Sequence, residues 1–105
     1  MRRGSFYRIQ LDKAIGFLFG EDVLDELEGK FFCLLEEEKI DEIYYIKLLQ
    51  VYAVLGDRVI FRKGYEFFVD NPKDFYRCFV EIPLEEVRES IDNTQALLSK
   101  EIFNR

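Results

Sequence analysis

Residues 21–55 have the sequence EDVLDELEGKFFCLLEEEKIDEIYYIKLLQVYAVL, and the way this stretch folds decides the architecture of the whole chain. Between Glu21 and Glu38, apolar residues recur at spacings of three and four, and acidic residues fill most of the other positions. This period is typical of an amphipathic helix, and the acids in its first turn suit the helix dipole. The segment Lys39–Glu42 then has the pattern of a helix-to-helix turn, with Asp41 as the N-cap of the next helix. We therefore predict a helical pair over residues 21–55.

The second helix of this pair, over residues 41–55, has apolar side chains around nearly its whole circumference. An alternative is open for its last part, because Val51–Leu55 is rich in residues that favour strands and Gly56-Asp57 suits a hairpin turn. We favour a helix that ends at Gly56.

The rest of the chain mostly has strand patterns, and it ends in a predicted helix. The predicted antiparallel strands are Phe6–Leu11, Arg58–Lys63, Tyr65–Val69 and Phe75–Ile82, with a short helix or tight apolar connection over Asp12–Phe19 and a loop over Asp70–Asp74. Pro83 suits the first position of a C-terminal helix over residues 84–103. We expect one α+β domain over residues 1–105, with a small antiparallel sheet of three to four strands packed against the helical pair and the C-terminal helix.

A winged-helix arrangement is an alternative, since it has the same order of elements. Its recognition helix would lie within residues 41–55, where Lys47 and Gln50 are the polar groups that could read DNA and the neighbourhood is acidic. DNA reading by this helix is therefore not favoured.

Charge is distributed unevenly along the chain. Residues 12–57 carry four lysines against twelve acids, a net of −8, whereas residues 1–11 and 58–82 together have a net of +4. The whole chain has a formal charge of −6. We expect two electrostatically different sides, which bears on the choice of partner and not on the fold.

The composition argues against several classes of protein. The chain has no histidine, no glycine-rich phosphate loop and no fixed spacing of metal ligands, so we predict no enzyme, no cofactor and no metal site. Its apolar runs are too short for a membrane span and no secretory signal is recognised, so we expect a cytoplasmic protein in which Cys33 and Cys78 are buried, reduced thiols. Low Asn, Gln and Met with abundant Glu, Lys and Arg is compatible with a thermophilic source.

An acidic face is the first candidate binding surface. It consists of Glu36, Glu37, Glu38, Asp41 and Glu42. These carboxylates suit a basic partner, and they also suit a nucleic-acid mimic that blocks a nucleic-acid-binding protein, as small phage or plasmid inhibitors do. The alternative is a helix face that is simply solvated.

A sheet face with cations and rings is the second candidate surface. It consists of Phe6, Arg8, Arg58, Arg62, Phe75, Arg77 and Phe79. Rings that stack on bases, next to guanidinium groups that meet phosphates, are typical of surfaces that bind single-stranded nucleic acid. The alternative is that these arginines pair with acids or solvate the open side of the sheet, and the net negative charge disfavours a polyanion.

Protein–protein interaction is the function that the sequence favours, for a small regulatory, inhibitory or assembly factor. Aromatic residues and arginine are enriched at interfaces, and the chain contains 11 Phe and 6 Tyr. We also expect a homodimer through the sheet face or through the helix over residues 41–55, because these apolar surfaces exceed what one small core can cover.

Overall fold

The computed structural model describes residues 1–14 and 21–91, which form a five-stranded sheet with short helices on both faces. The elements are β1 (Phe6–Ile9), α1 (Leu11–Ala14), α2 (Glu21–Leu27), β2 (Phe31–Ile40), β3 (Ile43–Leu55), β4 (Arg58–Val69), α3 (Pro72–Tyr76), β5 (Phe79–Ile82) and α4, which covers residues 84–91. The strand order is β4-β3-β2-β1-β5, and all neighbouring strands are antiparallel. The α+β class is confirmed, but the described sheet has five strands and not three to four.

The predicted helical pair over residues 21–55 is wrong beyond Leu27. Helix α2 ends there because Gly29 has a φ of +72°, a left-handed conformation that glycine adopts without steric cost. The Glu28 amide donates to the Leu24 carbonyl at 2.9 Å, which closes the last turn before the chain enters β2. The helical period of residues 21–35 therefore combines a real two-turn helix with a strand that follows it.

The first half of β2 shows why the pattern was ambiguous. Phe32, Cys33 and Leu34 are all buried, since this central strand is covered on both faces. A strand covered on both faces has a continuous apolar run and no alternation, so periodicity cannot distinguish it from a buried helix. A β-bulge between Leu34 and Glu36 disturbs the alternation further.

Strand β3 confirms the alternative for Val51–Leu55 and extends it back to Ile43. Two-residue turns join it to its neighbours, with Asp41 at a φ of +57° in the first turn and Gly56 at +61° in the second. Asp41 is thus a turn residue and not a helix N-cap. The recognition helix of the winged-helix alternative is a strand here, so that arrangement is not confirmed.

Several of the other predicted segments also need correction. The segments predicted as separate strands within residues 58–69 form one continuous strand, β4. The last part of the predicted loop Asp70–Asp74 and the first part of the predicted strand Phe75–Ile82 both belong to α3, because Asn71 caps this helix and Pro72 suits its first position. The predicted strand Phe6–Leu11 is confirmed over Phe6–Ile9, whereas Leu11 begins α1. The start of the C-terminal helix is confirmed, and residues 15–19 and 92–103 of the predicted helices lie outside the described residues.

The sheet buries a core on each of its two faces. On the front face, α2 and α3 contribute Leu27 and Phe75 to the cluster that contains Phe32, Ile46 and Leu48. On the back face, the buried Val87 of α4 packs into a second cluster, which is formed mainly by Val51, Val54 and Ile82. The back-face cluster is anchored by Arg88, which donates to the Gly56 carbonyl at 2.9 Å.

The turn geometry of Asp41 generates a prediction about stability. Replacement by glycine removes the steric cost of a positive φ, and after the entropic cost of glycine we expect Asp41→Gly to raise the free energy of unfolding by about 0.5 kcal/mol. Asp41→Val places a β-branched residue in the positive-φ conformation and should lower the free energy of unfolding by about 1–2 kcal/mol. Chemical denaturation of both variants measures the difference, and equal stabilities would contradict this turn.

Candidate interaction surface

The end of the sheet that carries the β2–β3 turn exposes large apolar side chains on its back face. Ile40 pairs with Ile43 and Tyr45 pairs with Phe68, and paired residues of antiparallel strands share a face. Phe68 is 67% exposed, Ile40 48% and Ile43 47%. Among the described residues, the cluster around α4 includes none of these four side chains. We call Ile40, Ile43, Tyr45 and Phe68 the distal patch.

The two rings of the distal patch are held by neighbours on the same face. Their centroids are 5.3 Å apart at an angle of 47°. The Tyr45 hydroxyl donates a hydrogen bond of 2.9 Å to Glu66, which fixes the ring direction. The patch is therefore an ordered apolar surface on regular strands.

Carboxylates surround this patch. Glu36 and Glu66 both lie opposite Lys47, and Glu38 lies opposite Tyr45, so all of them share the back face. The hydrogen bond to Glu66 raises the pKa of Tyr45 above its usual value, and partial burial and the charges of Glu36 and Glu38 raise it further. Three carboxylates against one lysine make the rim of the patch acidic.

The predicted acidic face is divided by the strand. Glu36 and Glu38 lie on the back face, whereas Glu37 between them lies on the front face near Tyr76. Asp41 and Glu42 are exposed in the turn. The structure thus brings Glu36 and Glu38 to the rim of the distal patch and does not place all five carboxylates on one surface.

The predicted face of cations and rings is not continuous in the described part of the chain. Phe75 and Phe79 are buried in the front-face core, and Phe6 packs against the back-face cluster. Arg77 lies next to α3 and pairs with Asp74 at 3.4 Å. The remaining arginines are exposed but spread over the sheet: Arg8 on β1, and Arg58 and Arg62 on β4.

The sequence did contain a signal for the distal patch, although the residues were not predicted as a site. If Asp41-Glu42 is taken as a two-residue hairpin turn, Ile40 and Ile43 become partners across it. Period-2 alternation from Ile43 to Tyr45 then places both on one face. The helical interpretation of residues 41–55 concealed this arrangement.

A cleft of about 440 Å³ lies beside the N-terminus, between the β1 and β5 end of the sheet and the start of α4. Its charged groups are already paired, since Arg2 and Glu81 make an ion pair of 2.8 Å. Tyr7 also donates to Glu81, at 3.3 Å, and the Arg2 hydrogen bond holds the pKa of Glu81 below its usual value. The cleft therefore has its charges satisfied internally.

In comparisons with known proteins, no family model, no curated protein and no solved structure matches this chain. Within the described residues, no helix has both the length and the apolar character needed to cross a membrane. Nor does that part of the chain group three or more Cys, Asp or Glu side chains as ligands for one metal ion.

Tyr76 generates a prediction about the dependence of stability on pH. Its hydroxyl oxygen is buried without a hydrogen bond of good geometry, and burial followed by the nearby Glu37 carboxylate raises its pKa. Because the pKa is higher in the folded state than the usual value near 10, the folded state favours the neutral Tyr76 hydroxyl. The stability that depends on this neutral form is fully present below about pH 10. It is lost as the pH rises through the folded-state pKa.

We expect Tyr76→Phe to weaken the loss of stability above about pH 10. At pH 7 the variant should be as stable as the natural chain or more stable by about 1 kcal/mol, because an unpaired buried hydroxyl is removed. Urea denaturation between neutral and strongly alkaline pH measures both effects, with Tyr52→Phe as the control because Tyr52 is exposed. A Tyr76→Phe profile parallel to that of the natural chain would argue against this role of Tyr76.

Proposed function

We propose that this chain is a non-enzymatic protein–protein interaction module, a small regulatory, inhibitory or assembly factor that binds its partner through the distal patch. The single observation that carries the proposal is the exposure of Ile40, Ile43 and Phe68 beside the half-buried Tyr45, on a part of the back face that the described helices leave uncovered. Large exposed apolar patches are uncommon on monomers and typically mark interaction sites.

The position of the patch on paired strands supports binding. Tyr45 and Phe68 are in contact and Tyr45 is fixed by Glu66, so little side-chain entropy is lost when a partner covers them. Rigid aromatic side chains at the centre of a surface and polar groups around it are the usual anatomy of an interface.

The rim of the patch indicates the chemistry of the partner. Glu36, Glu38 and Glu66 outnumber Lys47 on this face, so a complementary surface has an apolar centre with Lys or Arg around it. The same carboxylates repel phosphate groups, which disfavours a nucleic acid as the direct ligand.

A matched pair of variants tests this function. Ile40→Thr combined with Ile43→Thr keeps β-branched residues in the strands and removes much of the apolar surface of the patch. The control is Leu55→Thr, since Leu55 is 56% exposed at the other end of β3. Affinity capture from a lysate of the source organism, followed by titration with the captured protein, provides the measurement.

We expect the natural chain and the control to bind one partner in a fixed ratio, and the double variant to bind it at least about tenfold more weakly. The affinity should also fall as salt is raised, because the rim is charged. Equal affinity of the double variant and the control would overturn the role of the patch. The absence of any partner in a fixed ratio would count against the interaction module itself.

A further inference from the structure

Strand β4 is a long edge strand. It pairs with β3 along Arg58–Val69, and no segment of residues 1–14 or 21–91 pairs with its other side. The outer edge of twelve residues therefore presents backbone N–H and C=O groups that a further strand can bind. An exposed edge of this length is usually shortened, interrupted by proline or covered, and β4 contains no proline.

The sequence of β4 is self-complementary about Gly64. If a second copy pairs antiparallel with Gly64 opposite Gly64, then Lys63 of each copy lies opposite Tyr65 of the other. Arg62 is an extra residue relative to β3, because Gln50 pairs with Lys63 and Val51 pairs with Phe61. Arg62 is an extra residue on both copies, so beyond it each residue faces the partner residue one position further along the chain. With this shift, every pair across the two β4 strands joins side chains of the same face.

Beyond the bulge, this register joins apolar side chains on both faces. Phe67 comes opposite Ile60 of the second copy on the front face, and Phe68 comes opposite Val59 of the second copy on the back face. Ile60 is 37% exposed and Phe68 67% exposed in the single chain, so both bury surface on pairing. Aromatic rings next to β-branched residues are among the favourable cross-strand pairs.

The charges of the edge fit the same register. Glu66 of one copy comes opposite Phe61 and the bulged Arg62 of the other, which gives two symmetry-related ion pairs. A lysine on an edge strand can prevent pairing with another chain. The Lys63 Nζ, however, lies 3.4 Å from a carboxylate oxygen of Glu26 on α2 and 4.9 Å from the centre of the Tyr65 ring. Its charge is therefore drawn onto the front face and away from the pairing edge.

We propose that β4 is the interface of a homodimer, in which two copies pair antiparallel about Gly64 and form one continuous ten-stranded sheet with a two-fold axis. This interface differs from the sheet face and the residue 41–55 segment that the sequence suggested. It shares Phe68 with the distal patch and Glu66 with the rim of the patch, but it forms without the proposed partner and leaves Ile40 and Ile43 outside the joined edge. In the dimer the Phe68 rings border the joined edges, and the two distal patches lie on the same side of the extended sheet.

A charge-reversal cycle tests the interface and its register together. Sedimentation at micromolar concentration should give a particle of twice the 12.6 kDa chain mass. Arg62→Glu and Glu66→Arg should each raise the dissociation constant of the dimer by about tenfold, because each replaces two attractions with two repulsions. The combination of the two reversals should restore dimerisation, since the pairs are then reformed with opposite sign.

Controls separate this interface from other surfaces. Arg3→Glu reverses an exposed charge remote from β4 and should leave the dimer unchanged, as should Ile40→Thr combined with Ile43→Thr. Amide hydrogen exchange supplies a measurement that needs no variant: the outward amides of β4 should become protected as concentration rises. A monomer at all concentrations, a dimer that Arg62→Glu weakens no more than Arg3→Glu, or β4 amides with no concentration dependence would each overturn the proposal.

Discussion

The burial of β2 on both of its faces is the constraint on which the rest of the structure depends. Phe32 and Leu34 belong to the front-face core under α2 and α3, and the neighbouring Cys33 is buried on the opposite side. Because β2 lies in the middle of the sheet, it must have β1 on one side and β3 on the other to satisfy its backbone. Phe32 and Leu34 lie in the core that α2 and α3 cover, and Phe31 packs against the cluster that α4 covers.

Much of the outer part of the fold could be predicted from the sequence, because local signals there are strong. The alternation in β1 and the helix start after Pro83 both predict what the structure has. The centre could not be predicted in the same way. Residues 31–35 lack alternation because both faces are covered, and they follow a real helix whose period they extend by coincidence. Gly29 is the local evidence against a continuous helix, because glycine in a helix interior is unfavourable.

Whether the residues of a predicted surface lie together depends on which segments are strands and which are helices. Neighbouring residues on a strand point to opposite faces, so the acidic run 36–38 is divided between the two faces of the sheet. Phe75 and Phe79 were assigned to an open sheet face, yet α3 and the start of β5 place both in the core. The distal patch needed the hairpin register, which a single sequence fixes only when the turn is recognised first.

The three strands of the meander each contain one bulged residue: Leu35 in β2, Tyr52 in β3 and Arg62 in β4. On both sides of each bulge, the cross-strand pairs still join side chains of the same face, and the side chain of the extra residue is exposed. One residue can therefore be inserted or deleted at these points while the core side chains on both sides of the bulge still point into the core. The hairpins can accept insertions and deletions during evolution there, although most regular strands cannot.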